Sequence, residues 1–114
     1  MRRIDKPWGY EIVWAETSRY VGKILVIREG QALSLQYHRV KDETLLGNGG
    51  RCELLIEGDD GVIGRRVLEK GDVQHVDPLK RHRLIALTDC EIVEVSTPEL
   101  DDVVRLEDRY HRVP

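Results

Sequence analysis

The sequence predicts an all-β fold, one barrel or sandwich of antiparallel strands, and three observations lead there. Short runs that alternate with period two or are rich in leucine and β-branched residues recur along the chain: "YVGKILVIR", "RCELLIEG", "GVIGRRVLE", "RHRLIAL" and "EIVEVST". Between them lie connectors, Glu29-Gly30, "GNGG" at 47–50, "EGDDG" at 57–61 and "EKGD" at 69–72, which supply the positive-φ residues that tight turns need. The third observation is length: 114 residues suffice for one hydrophobic core and are too few for two. Strands at such regular spacing suit an antiparallel barrel or sandwich.

From the N-terminus, "MRRIDKPWGYE" begins basic but leads into no apolar run, so neither a leader nor a membrane anchor is expected of it. Trp8 is expected to close one end of the barrel by aromatic packing. Lys23 is a polar break in an apolar strand, pointing either inward or to solvent. "LSLQYH" starts the next strand, and "RCELLIEG" with "GVIGRRVLE" forms a hairpin across "EGDDG". Pro78 in "VDPLKRH" fixes the chain before "RHRLIAL", and "EIVEVST" is the last regular strand. Phenylalanine is absent, so the core is expected to consist of Val, Leu and Ile with Trp8, Trp14 and the tyrosines. Only the tail breaks the period: the arm 98–114, "PELDDVVRLEDRYHRVP", predicts one helical turn around Asp101 to Leu106.

A formal net charge of −3 excludes a broad basic surface for nucleic acid or an anionic membrane, and no apolar stretch reaches membrane-spanning length. A soluble, cytoplasmic protein is expected. Cys52 and Cys90 lack metal-type spacing and read as reduced, half-buried strand residues.

Candidate chemistry lies in "GQALSLQYHRVKDETLLGNGG". Gln36 and His38, two apart on a strand, point to one face; Glu43 can return to that face across a bend, and His82 follows the turn at Pro78. Two imidazoles, a carboxylate and an amide oxygen form a donor set for a divalent ion with net charge +1, a useful Lewis acid. Spacing alone leaves a plain surface hairpin as an alternative.

These residues resemble the two motifs of the cupin superfamily, G-x5-H-x-H-x4-E-x6-G and G-x5-P-x-G-x2-H-x3-N. Gly30, Gln36, His38, Glu43 and Gly50 fit the first with one substitution, Gln for the first His. In the second, Gly71 and His82 match, while Asp77, Leu79 and Ala86 replace the Pro, Gly and Asn. Through "KPWGYE", "LSLQYH" and "STPELDDVVRLEDRYHR" the chain is similar, along nearly its whole length, to the cupin domain of mannose-6-phosphate isomerases, the type found in bifunctional isomerase/guanylyltransferases and in small stand-alone relatives.

That resemblance implies a single cupin domain over 1–114, a double-stranded β-helix or jelly-roll barrel with metal motifs at 30–50 and 71–86. It also implies a metal held by Gln36, His38, Glu43 and His82, with Zn²⁺ favoured over Mn²⁺ or Fe²⁺. Two departures stand out. "LLGNGG" should make the strand after Glu43 end early or bulge. No nucleotidyltransferase domain is expected before the cupin, so any activity is expected from this domain alone.

The implied reaction is aldose–ketose isomerisation of a sugar phosphate such as mannose 6-phosphate through an enediol. Glu94, His75 or a water on the metal is the candidate base. Lys41, Arg81, Arg83 and Arg105 are the candidate phosphate ligands, with Arg109 and Arg112 in reserve; His111 is read as exposed. The alternatives are a non-catalytic sugar- or sugar-nucleotide-binding cupin and a non-haem iron oxygenase built on His38, His82 and Glu43. A homodimer through the segment Tyr10 to Trp14 is expected.

Overall fold

A computed structural model describes residues 1–112; residues 113 and 114 of the expected arm lie outside the described part. Eleven strands make up the fold: β1 (Arg2–Lys6), β2 (Gly9–Glu16), β3 (Val21–Ile27), β4 (Leu35–Tyr37), β5 (Glu43–Gly49), β6 (Cys52–Glu57), β7 (Ile63–Leu68), β8 (Val73–Val76), β9 (His82–Ala86), β10 (Cys90–Ser96) and β11 (Val104–Glu107). They form two antiparallel sheets, ordered β1-β2-β3-β10-β5-β8 and β11-β4-β9-β6-β7. Among the described residues no helix is long and apolar enough to cross a membrane.

Alternation decides which residues enter the core. In β10, Cys90, Ile92, Glu94 and Ser96 are buried while Glu91, Val93 and Val95 are not, the period expected of a strand with one face on the core. The buried apolar set, Trp8, Leu25, Ile27, Leu45, Leu54, Leu68, Val76, Leu84 and Ile92 among them, packs as one cluster between the sheets. Cys52 and Cys90 belong to that cluster as free thiols, buried rather than half-buried.

Three expectations need correction or refinement. Trp14 is not in the core: its ring covers Gly22 on the outer face, where a Cβ at Gly22 would lie 2.5 Å from the indole. The tail forms no helical turn at Asp101 to Leu106. Val104–Glu107 instead hydrogen-bonds along the free edge of β4, and the sheet bonds on offer there outweigh a weak helical pattern. "LLGNGG" does bulge, but the strand does not end early: pairing with β10 steps from Gly49 to Gly47 and leaves Asn48 over. Gly47 is needed at that point, since a Cβ there would sit 2.1 Å from the Glu69 carbonyl oxygen.

Leu79 occupies the glycine position of the second motif and keeps the left-handed conformation that glycine favours, φ 71°. Its N–H donates to the His38 carbonyl at 2.6 Å, tying the turn before β9 to the first motif.

Candidate metal and ligand site

The same alternation that fills the core changes chemistry toward one end of the barrel. Inward positions run Ile27, Leu25, then Lys23 on β3; Ile92, then Glu94 on β10; Leu45, then Glu43 on β5; Leu84, then His82 on β9. One half of the interior is aliphatic and the other is ionic. Buried charge is costly without partners, so the ionic half must be internally matched.

His38, Glu43 and His82 meet there, their ligand atoms all within 4.8 Å of one another. Glu43 Oε1 lies 3.6 Å from His38 Nε2 and 3.1 Å from His82 Nε2. His38 Nδ1 faces the Asp102 carbonyl at 2.5 Å and His82 Nδ1 faces the Lys80 carbonyl at 2.8 Å. A carbonyl oxygen only accepts, so each Nδ1 donates to its carbonyl, and each Nε2 is left facing Glu43. Both Nε2 atoms are buried without a hydrogen-bond partner. Gln36 pairs in register with His82, and its Oε1 accepts from Ser34 Oγ at 2.7 Å, leaving the second carbonyl lone pair. Two orphaned nitrogens and a carboxylate aimed at one point, each ring fixed from behind by a carbonyl, are what a divalent cation needs.

Lys41 is the counter-charge. Its Nζ stands 3.1 Å from a carboxylate oxygen of Glu43 and 3.1 Å from one of Glu94. Burial alone would lower the Lys41 pKa, but the two carboxylates outweigh it and raise it. Burial also pushes Glu43 up, yet the two imidazoles and Lys41 hold it well below the usual carboxylate range. Glu94 goes the other way: burial and then the charge of Glu43 raise it, against the pull of Lys41 and Lys23.

Above this cluster opens a cavity of about 100 Å³ whose wall includes Gln36, His38, Lys41, Glu94 and Arg105. Trp8 and the Glu11–Lys23 pair, 3.3 Å apart, line it as well, so Lys23 points inward. Lys6 and Arg112 complete a set of five basic side chains. Sequence reasoning missed Glu11 and Lys6; their only signal was the position of Glu11 beside "KPWG".

Several candidate residues are not brought together. His75 pairs in register with Thr44, not with Glu43, so it stands on the outer face of the sheet, exposed and 2.6 Å from Asp42. Its hydrogen bond to Asp42 raises its pKa. Arg81 binds Glu57 and the Gly61 carbonyl on the β6–β7 side. Arg83 is buried, but its guanidinium is taken by the Leu33 carbonyl and by Glu107. Arg109 donates to the Gly30 carbonyl, and His111 is exposed.

The end of the arm is folded into a turn by Asp108, which accepts from the backbone N–H and the guanidinium of Arg112 at 2.8 and 2.9 Å. Burial raises the Asp108 pKa, but these bonds outweigh it and bring it from the ordinary 3.8 to about 2. A depressed carboxylate stabilises the folded arm above its unfolded pKa and loses that contribution as pH falls through the folded one. The Arg112 amide is therefore expected to lose exchange protection between pH 3.8 and about 2. Asp108→Asn should flatten that profile; if the variant keeps it, another group is responsible.

No protein-family model matches the chain. In sequence it is 32% identical over 113 residues, 98% of its length, to the mannose-1-phosphate guanylyltransferase of Escherichia coli K12. The identity is also 32% to the mannose-1-phosphate guanylyltransferase ManC of Salmonella typhimurium. The chain spans 23% of the length of these relatives. Among solved structures, KdgF from Halomonas sp. superposes with a TM-score of 0.75 at 20% identity, covering 90% of both chains. An RmlC-like cupin from Shewanella frigidimarina gives 0.74 at 17% identity, covering 89% of this chain and 86% of that one. By its two antiparallel sheets and these similarities, the chain has the cupin-type jelly-roll fold and resembles part of the mannose-1-phosphate guanylyltransferases.

Proposed function

We propose that this cupin holds a divalent metal, binds a sugar phosphate in the adjoining cavity and interconverts its aldose and ketose forms. The observation that carries the reading is the pair of buried, unpartnered Nε2 atoms of His38 and His82 meeting Glu43 beside a cavity lined by five basic side chains. The similarity to mannose-1-phosphate guanylyltransferases supports a sugar phosphate as the ligand class.

A divalent ion, Zn²⁺ in the first instance and Mn²⁺ or Fe²⁺ otherwise, would be held by Gln36, His38, Glu43 and His82 and would supply Lewis acidity to the substrate oxygens. The chain's own residues do the rest. Isomerisation moves one proton from C2 to C1 and another from O2 to O1. Glu94 faces the cavity, and its carboxylate is the group that takes the C2 proton and returns it to C1. Burial and the Glu43 charge raise its pKa toward the working range of a base. Lys41 lies between Glu43 and Glu94, and Arg105 and Lys6 supply positive charge for the phosphate, while Arg112 at the same wall is paired with Asp108. Leu33 and Trp8 restrict water at the wall.

The test is conversion of mannose 6-phosphate to fructose 6-phosphate after loading with Zn²⁺ or Mn²⁺, with oxygen uptake monitored. Glu94→Gln is expected to lower kcat by about 10²- to 10⁴-fold at unchanged metal content. Undiminished turnover in that variant would remove Glu94 from the role. The second reading, a non-catalytic sugar binder, is favoured by Lys41 standing 3.1 Å from Glu94, where it competes for the base. Thermal stabilisation by mannose 6-phosphate without turnover would select it, and oxygen consumption with Fe²⁺ would select an oxygenase.

A further inference from the structure

The C-terminal arm reaches the His38–Glu43–His82 cluster at Asp102. Asp102 lies 64 positions from His38 in sequence, yet its carbonyl accepts from His38 Nδ1. Its carboxylate accepts from three consecutive backbone N–H groups: Arg39 at 3.1 Å on Oδ1, Val40 at 2.7 Å and Lys41 at 2.9 Å on Oδ2. Those amides span the bend between His38 and Glu43, and Lys41 is the counter-charge of Glu43. A further contact follows in register, since Arg105 on β11 pairs with Gln36 on β4. One short segment thus braces Gln36, His38 and the loop leading to Glu43.

From this geometry we infer that Asp102 is a positioning residue that makes the arm part of the metal centre, so that metal binding and arm docking stabilise each other. The inference rests on the metal reading proposed above. The physical reason is the two-sided grip. The Asp102 carbonyl fixes the tautomer and ring orientation of His38, leaving Nε2 as a lone pair directed at the ion. The carboxylate fixes where that carbonyl sits, because three N–H donors hold it against the loop. If the arm detaches, His38 loses its orienting acceptor and the cavity loses Leu100, Val103, Arg105 and Arg112 from its wall. Linkage then requires the reciprocal effect: an ion that prefers the oriented His38 also favours the docked arm.

Two substitutions grade the grip. Asn in place of Asp102 keeps one acceptor oxygen but turns an NH₂ group toward a backbone N–H, so part of the three-donor contact is lost. Ala loses all of it. Both retain the residue-102 carbonyl, so any effect on His38 arises through its position.

The test is competition with a chelating dye for Zn²⁺ and Co²⁺ on the full chain, with the visible absorption of bound Co²⁺ recorded for wild type, Asp102→Asn and Asp102→Ala. The expected result is about 10- to 100-fold weaker binding in Asp102→Asn, weaker still in Asp102→Ala, and an altered Co²⁺ spectrum in both. A brace that served only folding would lower thermal stability and leave affinity and spectrum unchanged at 25 °C. The reciprocal arm uses wild type alone: saturating Zn²⁺ should slow trypsin cleavage after Arg105 and Arg109 while cleavage after Arg65 and Arg66 stays constant. Folded variants with wild-type affinity and spectrum would overturn the inference and leave the metal reading standing. If neither variant folds, trypsin decides: arm cleavage indifferent to Zn²⁺ overturns the inference. Wild type that takes up no metal overturns both.

Discussion

His82→Ala should lose metal affinity by about 100-fold or more, at or above the upper end of what loss of an outer-shell partner costs, because it removes a donor itself. Gln36→Ala should lose metal too, and that comparison separates a ligand at position 36 from a passive neighbour. The reason lies in the cluster. Glu43 Oε1 is 3.1 Å from His82 Nε2, and the latter has no hydrogen-bond partner, so an ion bound there would satisfy it. Metal should also stabilise the fold, by about 4 kcal/mol at a free concentration of 1,000 Kd. Elemental analysis of protein purified without chelator, followed by Zn²⁺ reconstitution, measures the metal content, and unfolding with and without Zn²⁺ measures the stabilisation. Wild type that stays metal-free after reconstitution would mean that His38 and His82 are held for packing alone.

Lys41→Met should destabilise the metal-free protein by about 3–5 kcal/mol, the usual cost of leaving buried charge without its partner. Lys41 Nζ serves two carboxylates at 3.1 Å, and Glu43 and Glu94 are almost inaccessible to water. Two consequences separate this from ordinary cavity damage. Added Zn²⁺ should recover part of the loss, because the ion replaces the missing positive charge beside Glu43. Adding Glu94→Gln to Lys41→Met should also recover part of it by removing one of the stranded charges, a coupling that a double-mutant cycle reads directly. Urea unfolding with and without Zn²⁺ measures these terms. A loss below about 1 kcal/mol, with no recovery from either source, would show that water enters and screens the cluster.

The dual use of Lys41 also bears on how the cavity treats a phosphate. Read from sequence, Lys41 is a cation available to substrate; in the fold its charge is already divided between two carboxylates. Arg83 and Arg81 are spent in the same way on Glu107 and Glu57. The side chains that line the cavity from its two flanks, Lys6 on β1 and Arg105 and Arg112 on the arm, are far apart in sequence, and only the closed barrel brings them to one wall.

What the sequence determined by itself was the class of fold and most of its turns, because period-two alternation and glycine turns are local properties, whereas the inward face was left open at Lys23 and misassigned at Trp14. The resemblance carried by "LSLQYH" and His82 was sufficient to identify the cupin and its ligand set as an expectation, and His38, Glu43 and His82 do converge. Tertiary structure decided the rest, for reasons of register and edge pairing. A strand position fixes a face, but only the pairing of Thr44 with His75 sends that histidine outward and removes it as a base. The tail reads as a weak helix because local spacing cannot register a vacant sheet edge. The edge of β4 offered hydrogen bonds that the isolated segment lacks, so it became β11 and carried Asp102 to His38. Contacts across 64 residues leave no periodic trace, and the bond between His38 and the Asp102 carbonyl is therefore visible only in the folded chain.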